Sequence, residues 1–157
     1  MISSFYEQET NYTCGPACMR MVLESLGIKR SERKLVKLMK ANKVRGTWPA
    51  EFPRVAEKFQ LNYIVNRNST IRQLKEAREE GYTIVLCYFF PQYNLDHYSI
   101  LKRITSKHIY FWDPLIGEDH RYDLKYFKEV WKSDPKYDNE KAWFFGVKKP
   151  VSLSNKD

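Results

Sequence analysis

Residues 83–114, TIVLCYFFPQYNLDHYSILKRITSKHIYFWDP, contain the pattern that decides the fold. Residues 83–90 are an unbroken run of apolar and β-branched side chains, which is typical of a strand buried on both faces in the middle of a sheet. After a loop, residues 97–104 and 108–113 form a predicted hairpin that turns at residues 105–107. The stretch therefore predicts the centre of an antiparallel sheet.

Helices are predicted on the N-terminal side of this sheet. Apolar residues at helical spacing follow Pro16, which suits the first position of a helix, and Gly27 suits its end. Helices first and strands after predict an α+β fold, in which the N-terminal helices pack on one side of an antiparallel sheet. The other predicted elements are helices at 31–41, 49–59, 70–80 and 123–131, and strands at 61–65 and 142–148.

Length and composition indicate one globular unit. The chain has 157 residues, of which 43% are apolar, so it can bury one hydrophobic core. We predict a single domain over residues 1–148 and a disordered polar tail over residues 149–157. The sequence has neither a secretory signal nor the roughly 20 apolar residues in a row that span a bilayer. Three cysteines are an odd number, so we expect reduced thiols and a cytoplasmic protein.

Positive charge is concentrated in one segment. The net charge is +8, and residues 29–45 hold eight basic residues against one acidic residue, Glu32. Such a segment is either a solvated helix face or a surface that attracts an acidic partner. The solvated face is the simpler interpretation; the hypothesis beside it is that the segment recruits an acidic segment of the substrate or an anionic surface, and nucleic acid is not expected.

Cys14 is the candidate nucleophile. It stands directly before Gly15 and Pro16, where the chain enters the first predicted helix. The unsatisfied N–H groups and the positive end of the helix dipole at that position favour a thiolate. The alternative is a small buried cysteine in a loop.

His97 is the candidate base among three histidines. It opens a hairpin strand directly after the loop that leaves the central strand. His120 lies in a polar run over residues 117–121 and is expected to face solvent, while His108 lies beside the hairpin turn. We therefore expect only His97 to reach a catalytic centre.

Asp113 is the candidate partner of His97. If the hairpin is centred on Thr105, His97 stands directly opposite Asp113, with Cβ atoms about 4.5 to 5.5 Å apart on one face. A register shifted by one residue would place the two on opposite faces. The alternative for Asp113 is a turn-forming residue before Pro114.

Gln8 and the remaining cysteines complete the candidate set. The Gln8 amide can donate to an oxyanion together with the Cys14 backbone N–H, although an exposed surface glutamine is the simpler interpretation. Cys18 lies one helical turn after Cys14, and Cys87 lies within the apolar strand. No second pair of ligands accompanies them, so we assign both cysteines to the core and predict neither a metal nor a cofactor.

These residues carry a family resemblance. Gln8-x5-Cys14-Gly15-Pro16-Ala17-Cys18, Gly46-Thr47-Trp48-Pro49, Asp96-His97-Tyr98 and Trp112-Asp113-Pro114 occur in this order. Together they resemble the papain-like peptidase domain of bacteriocin-processing transporters, cysteine peptidase family thirty-nine, and its stand-alone relatives, to about Val147. The resemblance implies a papain-like fold, a triad of Cys14, His97 and Asp113, and Gln8 in the oxyanion hole. It also implies cleavage of a leader peptide after a double-glycine site.

The sequence departs from the transporter proteins in ways that bear on substrate. It contains neither a membrane-spanning region nor a Gly-rich ATPase motif, and Asp96 stands where the transporter domains more usually carry Gly. We expect a peptidase that cleaves a peptide or isopeptide bond after a small residue such as Gly. Bulky residues that could narrow its groove are Trp48, Tyr88, Phe89, Phe90 and Tyr93, and part of this set is expected to be core.

Two other functions remain open at this point. The same acyl-enzyme could pass its acyl group to an amine or thiol, which would make the protein an acyl or peptidyl transferase. A non-catalytic module that binds peptide or nucleic acid through the basic segment is the other alternative. Retention of both the nucleophile and the base favours the enzyme.

Overall fold

The computed structural model describes residues 1–150. Over these residues three helices come first, and six strands and two further helices follow, with four of the strands consecutive. The helices are α1 Cys14–Ser25, α2 Glu32–Leu38, α3 Glu51–Lys58, α4 Ile71–Glu79 and α5 Leu124–Val130. The strands are β1 Asn62–Asn66, β2 Thr83–Phe90, β3 Leu95–Ile104, β4 His108–Asp113, β5 Gly117–Asp123 and β6 Phe144–Lys148.

The strands form one antiparallel sheet in the order β1-β6-β2-β3-β4-β5. Strand β2 is buried at every residue except the half-buried Phe89, and β6 and β3 flank it, as its apolar run predicts. The last strand, β6, inserts between β1 and β2 and so joins the two halves of the chain. The predicted α+β class with N-terminal helices on an antiparallel sheet is confirmed.

Helices cover both faces of the sheet, which differs from the predicted single covered side. Helices α1, α2 and α3 pack on one face against residues such as Val85 and Tyr98. Helices α4 and α5 pack on the other face against Leu86 and Tyr88. Side chains alternate along a strand, and β2 is apolar at consecutive positions, so both of its faces need cover.

Strand β5 was not predicted from the sequence. Its residues are mostly polar because it is the edge strand, and they lack the apolar alternation that marks a half-buried strand. Its alternation nevertheless directs His120 toward the covered face beside Tyr122. Asp123 precedes α5 as predicted, but its carboxylate pairs with His108 at 3.0 Å instead of capping the helix.

Two sequence predictions concern the ends of the chain and membranes. Of the predicted tail, residues 151–157 lie outside the described residues, while residues 149 and 150 follow β6 without regular structure. Within residues 1–150, no helix has the length and apolar character needed to cross a bilayer.

Candidate active site

Cys14 is the first residue of α1 and is half-buried. Thr13 precedes the helix, but its hydroxyl donates to Glu32 Oε2 at 2.9 Å and makes no capping bond to α1. Pro16 has no N–H, and the Ala17 N–H donates to the Thr13 carbonyl at 2.9 Å. The N–H groups of Cys14 and the residue after it therefore remain at the N-terminus of α1, beside the thiol.

Gly15 allows α1 to approach the loop that follows α2. A Cβ at Gly15 would lie 2.7 Å from Thr47 Oγ1, which is closer than real side chains come. The Thr47 carbonyl in turn accepts a hydrogen bond of 2.7 Å from the hydroxyl of Tyr98, the residue after His97. The Cys-Gly-Pro and Gly-Thr-Trp-Pro motifs of the sequence therefore meet at this contact, next to the histidine strand.

His97 lies near the start of β3 with a side chain only 2% exposed. Its Nε2 lies 2.7 Å from Asp113 Oδ1, and the Phe90 ring stacks on its imidazole with centroids 4.7 Å apart. The Cys14 side chain lies close enough to the same ring to influence its ionisation. The structure therefore brings Cys14, His97 and Asp113 together.

The ionisation of His97 follows from these partners. Burial alone would lower its pKa, but the charges of Cys14 and Asp113 and their hydrogen bonds raise the pKa of His97 to about 10. An imidazolium is therefore retained at neutral pH between the thiol and the carboxylate. This charge state is the one that a thiolate–imidazolium pair requires.

The register that joins His97 and Asp113 differs from the predicted one. Next to the turn, Ile104 faces Ile109, but beyond a β-bulge Leu101 faces Phe111. The hairpin is therefore not centred on Thr105 as predicted. Without the bulge, the pairing next to the turn would send the two catalytic candidates to opposite faces of the sheet.

Because of the bulge, His97 and Asp113 lie on the same face of the sheet, but they are not directly opposite each other. Continued from Ile100 and Trp112, the register brings Asp113 level with Ser99, two residues from His97. Diagonal neighbours on one face are still within reach of long side chains. The 2.7 Å bond between His97 and Asp113 therefore comes from a diagonal pair, and the prediction of a directly opposed pair is wrong.

Asp113 is fully buried and accepts five hydrogen bonds. Burial would raise its pKa, but the bond from His120, the His97 charge and the Tyr88 hydroxyl hold the pKa of Asp113 well below its usual range. The carboxylate therefore stays ionised. Its donors are His97 Nε2 at 2.7 Å, Tyr88 Oη at 2.7 Å, His120 Nδ1 at 2.8 Å, Leu115 N at 2.8 Å and Ile116 N at 3.1 Å.

His120 is the residue that the sequence interpretation misplaced. It was expected to face solvent, but its side chain is 15% exposed and its Nδ1 lies 2.8 Å from Asp113 Oδ2. Recognition of β5 as a strand would have revealed it, because alternation from Tyr122 places His120 on the covered face.

Gln8 lies beside the turn that follows Asp113. Its backbone N–H donates to the Pro114 carbonyl at 2.8 Å, and its side-chain Nε2 donates to the Thr10 carbonyl at 2.7 Å. An amide nitrogen carries two N–H donors, so one remains after this bond. The described contacts do not include one between Gln8 and Cys14, and the predicted oxyanion role stays a prediction.

Arg45 is buried, although the sequence placed it in an exposed basic segment. Its guanidinium donates to Asp96 at 3.2 Å and to Asp138 at 3.0 Å, and it lies over the Trp48 ring at 4.8 Å. Asp96 directly precedes His97 and also accepts the Asp134 N–H at 3.0 Å. We call Arg45, Asp96 and Asp138 the arginine clamp; it fixes the start of the histidine strand.

The other cysteines and the aromatic residues divide between core and surface. Cys18 and Cys87 are buried as predicted, and burial raises the pKa of both thiols. Tyr88 is buried against Asp113, so it is core. Trp48 and Tyr93 are exposed by 42% and 58%, respectively, and are available to a substrate.

Comparison with known proteins gives a family and a fold. The model of the Peptidase_C39 like family matches residues 3–138. The structure is similar to the peptidase domain of Streptococcus ComA, a bi-functional ABC transporter involved in quorum sensing, at a TM-score of 0.73 and 18% identity over 92% of this chain and 97% of that one.

Two other solved structures share the fold. A putative C39-like peptidase from Bacillus anthracis has a TM-score of 0.71 and 13% identity, over 95% of this chain and 96% of that one. A double glycine motif protease from an AMS/PCAT transporter, solved in complex with the leader peptide, has a TM-score of 0.70 and 17% identity, over 94% and 91%. No curated protein matches the chain.

Proposed function

This chain belongs to the Peptidase_C39 like family and is a cysteine peptidase, and on that premise we propose that it cleaves peptide or isopeptide bonds with Cys14, His97 and Asp113. The observation that carries the assignment is the shared contact of His97 with both other residues. A histidine that is buried between a thiol at a helix N-terminus and an ionised carboxylate fits nucleophilic catalysis.

The proposed reaction begins with attack of the Cys14 thiolate on the carbonyl carbon of the scissile bond. Asp113 binds His97 Nε2, so Nδ1 is the nitrogen that serves Cys14 and the leaving group. His97 donates the Nδ1 proton to the leaving amine, which departs and leaves a thioester on Cys14. His97 then takes a proton from water, and the resulting hydroxide releases the acid and regenerates the thiolate.

The oxyanion is proposed to bind at the N-terminus of α1. The Cys14 N–H is one donor, because Cys14 is the first residue of α1 and its N–H has no intrahelical acceptor. The second N–H of the Gln8 amide is the other donor, since the first is bound to Thr10. In comparable sites, loss of one such donor raises the barrier by about 2.7 to 4 kcal/mol.

A small residue before the scissile bond is the proposed substrate preference. Tyr93 packs against Phe90, which stacks on His97, and Trp48 follows Thr47, which lies against Gly15. Both side chains are exposed, and we propose that they narrow the substrate groove beside Cys14. A narrow groove excludes bulky side chains and admits Gly. The leader peptide bound to the structurally similar double glycine motif protease agrees with a peptide substrate of this kind.

An acidic segment of the substrate is proposed to bind at a basic cleft. The cleft has a volume of about 400 Å³ and lies between α2 and the end of α3. Its apolar floor would take an aliphatic side chain, and its cations would pair with flanking carboxylates. The residues of the basic cleft are Arg30, Lys34, Leu35, Lys37, Leu38, Lys58 and Phe59.

Cytoplasmic localisation is part of the proposal. Cys14, Cys18 and Cys87 are all free thiols in the structure. A peptidase that depends on a reduced cysteine suits a reducing compartment.

The test of the proposed function is cleavage of three matched peptides with Gly-Gly, Ala-Ala or Leu-Leu before the cut site. We expect kcat/KM to be highest for Gly-Gly and at least about tenfold lower for Leu-Leu. Cys14→Ala is expected to lose at least about 10⁴-fold in kcat, because nucleophile loss removes the whole covalent pathway. Cys18→Ala, the matched control one helical turn away, is expected to retain activity.

Two results would contradict different parts of the proposal. Full activity of Cys14→Ala would show that another residue is the nucleophile. Equal or faster cleavage of the Leu-Leu peptide would contradict the narrow groove and leave the triad intact.

A further inference from the structure

A second histidine shares the carboxylate that orients His97. His120 reaches Asp113 from β5, while His97 reaches it from β3, so the carboxylate lies between two imidazoles. His120 Nδ1 lies 2.8 Å from Asp113 Oδ2, and His97 Nε2 lies 2.7 Å from Oδ1. The reaction as proposed above uses only one of these histidines.

The second oxygen of Asp113 is held by two side-chain donors. The Tyr88 hydroxyl donates to Oδ2 at 2.7 Å and lies 2.7 Å from Ser99 Oγ. His120 Nδ1 binds the same oxygen and lies 3.4 Å from the Tyr88 hydroxyl. Because an ionised carboxylate only accepts, His120 must carry its proton on Nδ1 to bind there.

The surroundings of His120 fix its ring. Tyr122 packs edge-on at 4.7 Å between centroids, and Phe111 and Tyr88 lie at 6.2 and 6.3 Å. The titratable groups that face the ring are Asp113 from β4, Tyr88 from β2 and Tyr122 from β5. Among the residues described, Asp113 is the one anionic partner within hydrogen-bond distance of His120.

We propose that His120 is a positioning residue, which holds Asp113 Oδ2 so that Oδ1 stays directed at His97 Nε2. This inference rests on the proposed function, because it concerns the same triad. Oδ1 is held by His97 and by the backbone N–H groups of Leu115 and Ile116, while Tyr88 and His120 are the donors to Oδ2. The terminal torsion of an aspartate is only weakly restricted by itself, so the bonds to Oδ2 decide how well the plane of the carboxylate stays aligned with His97.

The role differs from that of a catalytic residue. His120 touches neither the nucleophile nor the scissile bond in the proposed reaction, and it acts on catalysis through Asp113. In metal sites, removal of an outer partner that orients a ligand changes activity by about 10 to 100-fold, and we expect an effect of similar size here. His120 is not proposed to contact the substrate, so its substitution should not change KM.

The test compares two substitutions at position 120 with the wild type. His120→Phe keeps the aromatic packing and removes the donor, and we expect kcat to fall about tenfold with KM unchanged. His120→Asn keeps an N–H donor at the position of Nδ1, and we expect kcat within about threefold of the wild type. Tyr88→Phe removes the other donor and is expected to lower kcat in the same way.

Two measurements do not depend on peptide cleavage and separate this inference from the proposed function. Nitrogen NMR of the wild type should show His120 protonated on Nδ1. Alkylation of Cys14 by iodoacetamide near pH 6 should be several-fold slower in His120→Phe than in the wild type, because a misdirected Asp113 stabilises the imidazolium less.

An unchanged kcat in a folded His120→Phe would overturn the proposal, as would a His120 with its proton on Nε2 alone. Loss of activity that His120→Asn fails to restore would also overturn it, since the donor would then not be the reason. If the wild type cleaves no peptide, the proposed function fails, while the NMR and alkylation results still decide the role of His120.

Discussion

Asp113 shows how one residue can hold a charge in the protein interior. A buried carboxylate without partners would be costly, but Asp113 accepts five hydrogen bonds and faces an imidazolium. Two of its donors are the backbone N–H groups of Leu115 and Ile116 in the turn before β5. The same bonds that keep Asp113 ionised also fix its direction, so the stability of the domain and the geometry of the proposed triad depend on one side chain.

The pH dependence of activity should reflect the charge of His97. Because Cys14 and Asp113 raise the pKa of His97 to about 10, the imidazolium persists as the pH rises through the ordinary histidine value near 6.5. We expect the basic limb of the kcat/KM profile to lie near pH 10. Asp113→Asn removes one of the two charges and should move that limb to lower pH.

The pH profile is obtained by measuring kcat/KM for peptide cleavage in a series of buffers of different pH. A basic limb near pH 6.5 in the wild type would contradict the ion pair, because His97 would then titrate as an isolated imidazole. The matched control is His108→Gln, since His108 pairs with Asp123 at the far end of β4.

At the residue scale, the sequence predicts Cys14, His97 and Asp113 as a triad, but it does not predict that His120 binds Asp113. Cys14 is recognisable because Gly15 and Pro16 mark a helix start, and Asp113 because Pro114 follows it. His120 is not recognisable, because its neighbours in sequence are charged and it lies on an edge strand without apolar alternation. Partners that meet only across a sheet leave no local pattern.

The basic residues of the segment at positions 29–45 fall into three groups in the structure. Arg30, Lys34 and Lys37 border the basic cleft over an apolar floor, whereas Lys40 and Lys43 are exposed and do not line it. Arg45 belongs to neither group, because it is buried in the arginine clamp. Charge alone predicts an exposed face, and only the packing distinguishes the three groups.

Charge reversal on α2 tests the basic cleft. For a Gly-Gly peptide with an acidic upstream segment, the double variant Lys34→Glu and Lys37→Glu should raise KM at least about fivefold at low salt, with kcat unchanged. The defect should shrink near 1 M salt, where the Debye length falls to about 3 Å.

The matched control is Lys40→Glu with Lys43→Glu, which makes the same change in net charge outside the cleft. An equal rise in KM in both double variants would indicate attraction by overall charge and would contradict binding at the cleft.

At the element scale, strand and helix positions are mostly predictable, while register is not. The capping box of Thr70 and Gln73 and the strand Thr83–Phe90 form as their patterns indicate. The β-bulge between Leu101 and Arg103 has no comparable signal. The bulge depends on how β3 pairs with β4. Its one extra residue decides whether His97 lies on the same face of the sheet as Asp113.

The arginine clamp links distant parts of the chain next to the candidate active site. Arg45 follows α2, Asp96 opens the histidine strand, and Asp138 lies between α5 and β6, so the clamp joins three distant parts of the sequence. The Trp48 and Tyr137 rings cover the guanidinium at 4.8 and 5.1 Å. Arg45 cannot be distinguished as buried from the sequence, because the other basic residues at positions 29–45 suggest an exposed segment.

Removal of the clamp should destabilise the entire domain. Arg45→Met leaves Asp96 buried without its cation, and loss of one partner of a buried ion pair costs about 3 to 5 kcal/mol. Urea unfolding measures this change in the free energy of unfolding. Adding Asp96→Asn should recover part of the loss, because the uncompensated charge is removed.

The control for the clamp is Arg33→Met, an exposed arginine of the same segment, which should stay within about 0.5 kcal/mol of the wild type. A loss below about 1 kcal/mol for Arg45→Met would show that the clamp is not required for stability.

The α+β class follows from the sequence because local patterns for helices and strands occur in a definite order. The apolar run of β2 requires cover on both sheet faces, but it does not indicate which helices cover which face, since the apolar stripes of α4 and α5 do not show where they pack. The arginine clamp depends on contacts that span up to 93 positions and is visible only in the folded chain.

Selective alkylation of Cys14 tests the central claim most directly. Iodoacetamide is added near pH 6, and the rate of modification at each cysteine is measured by peptide mass. We predict that Cys14 reacts at least about tenfold faster than Cys18 and Cys87, whose thiols are buried and have raised pKa values. His97→Ala should slow the modification of Cys14 itself and leave the rates at the buried Cys18 and Cys87 unchanged. Equal rates at the three cysteines of the wild type would contradict a thiolate–imidazolium pair at Cys14 and His97.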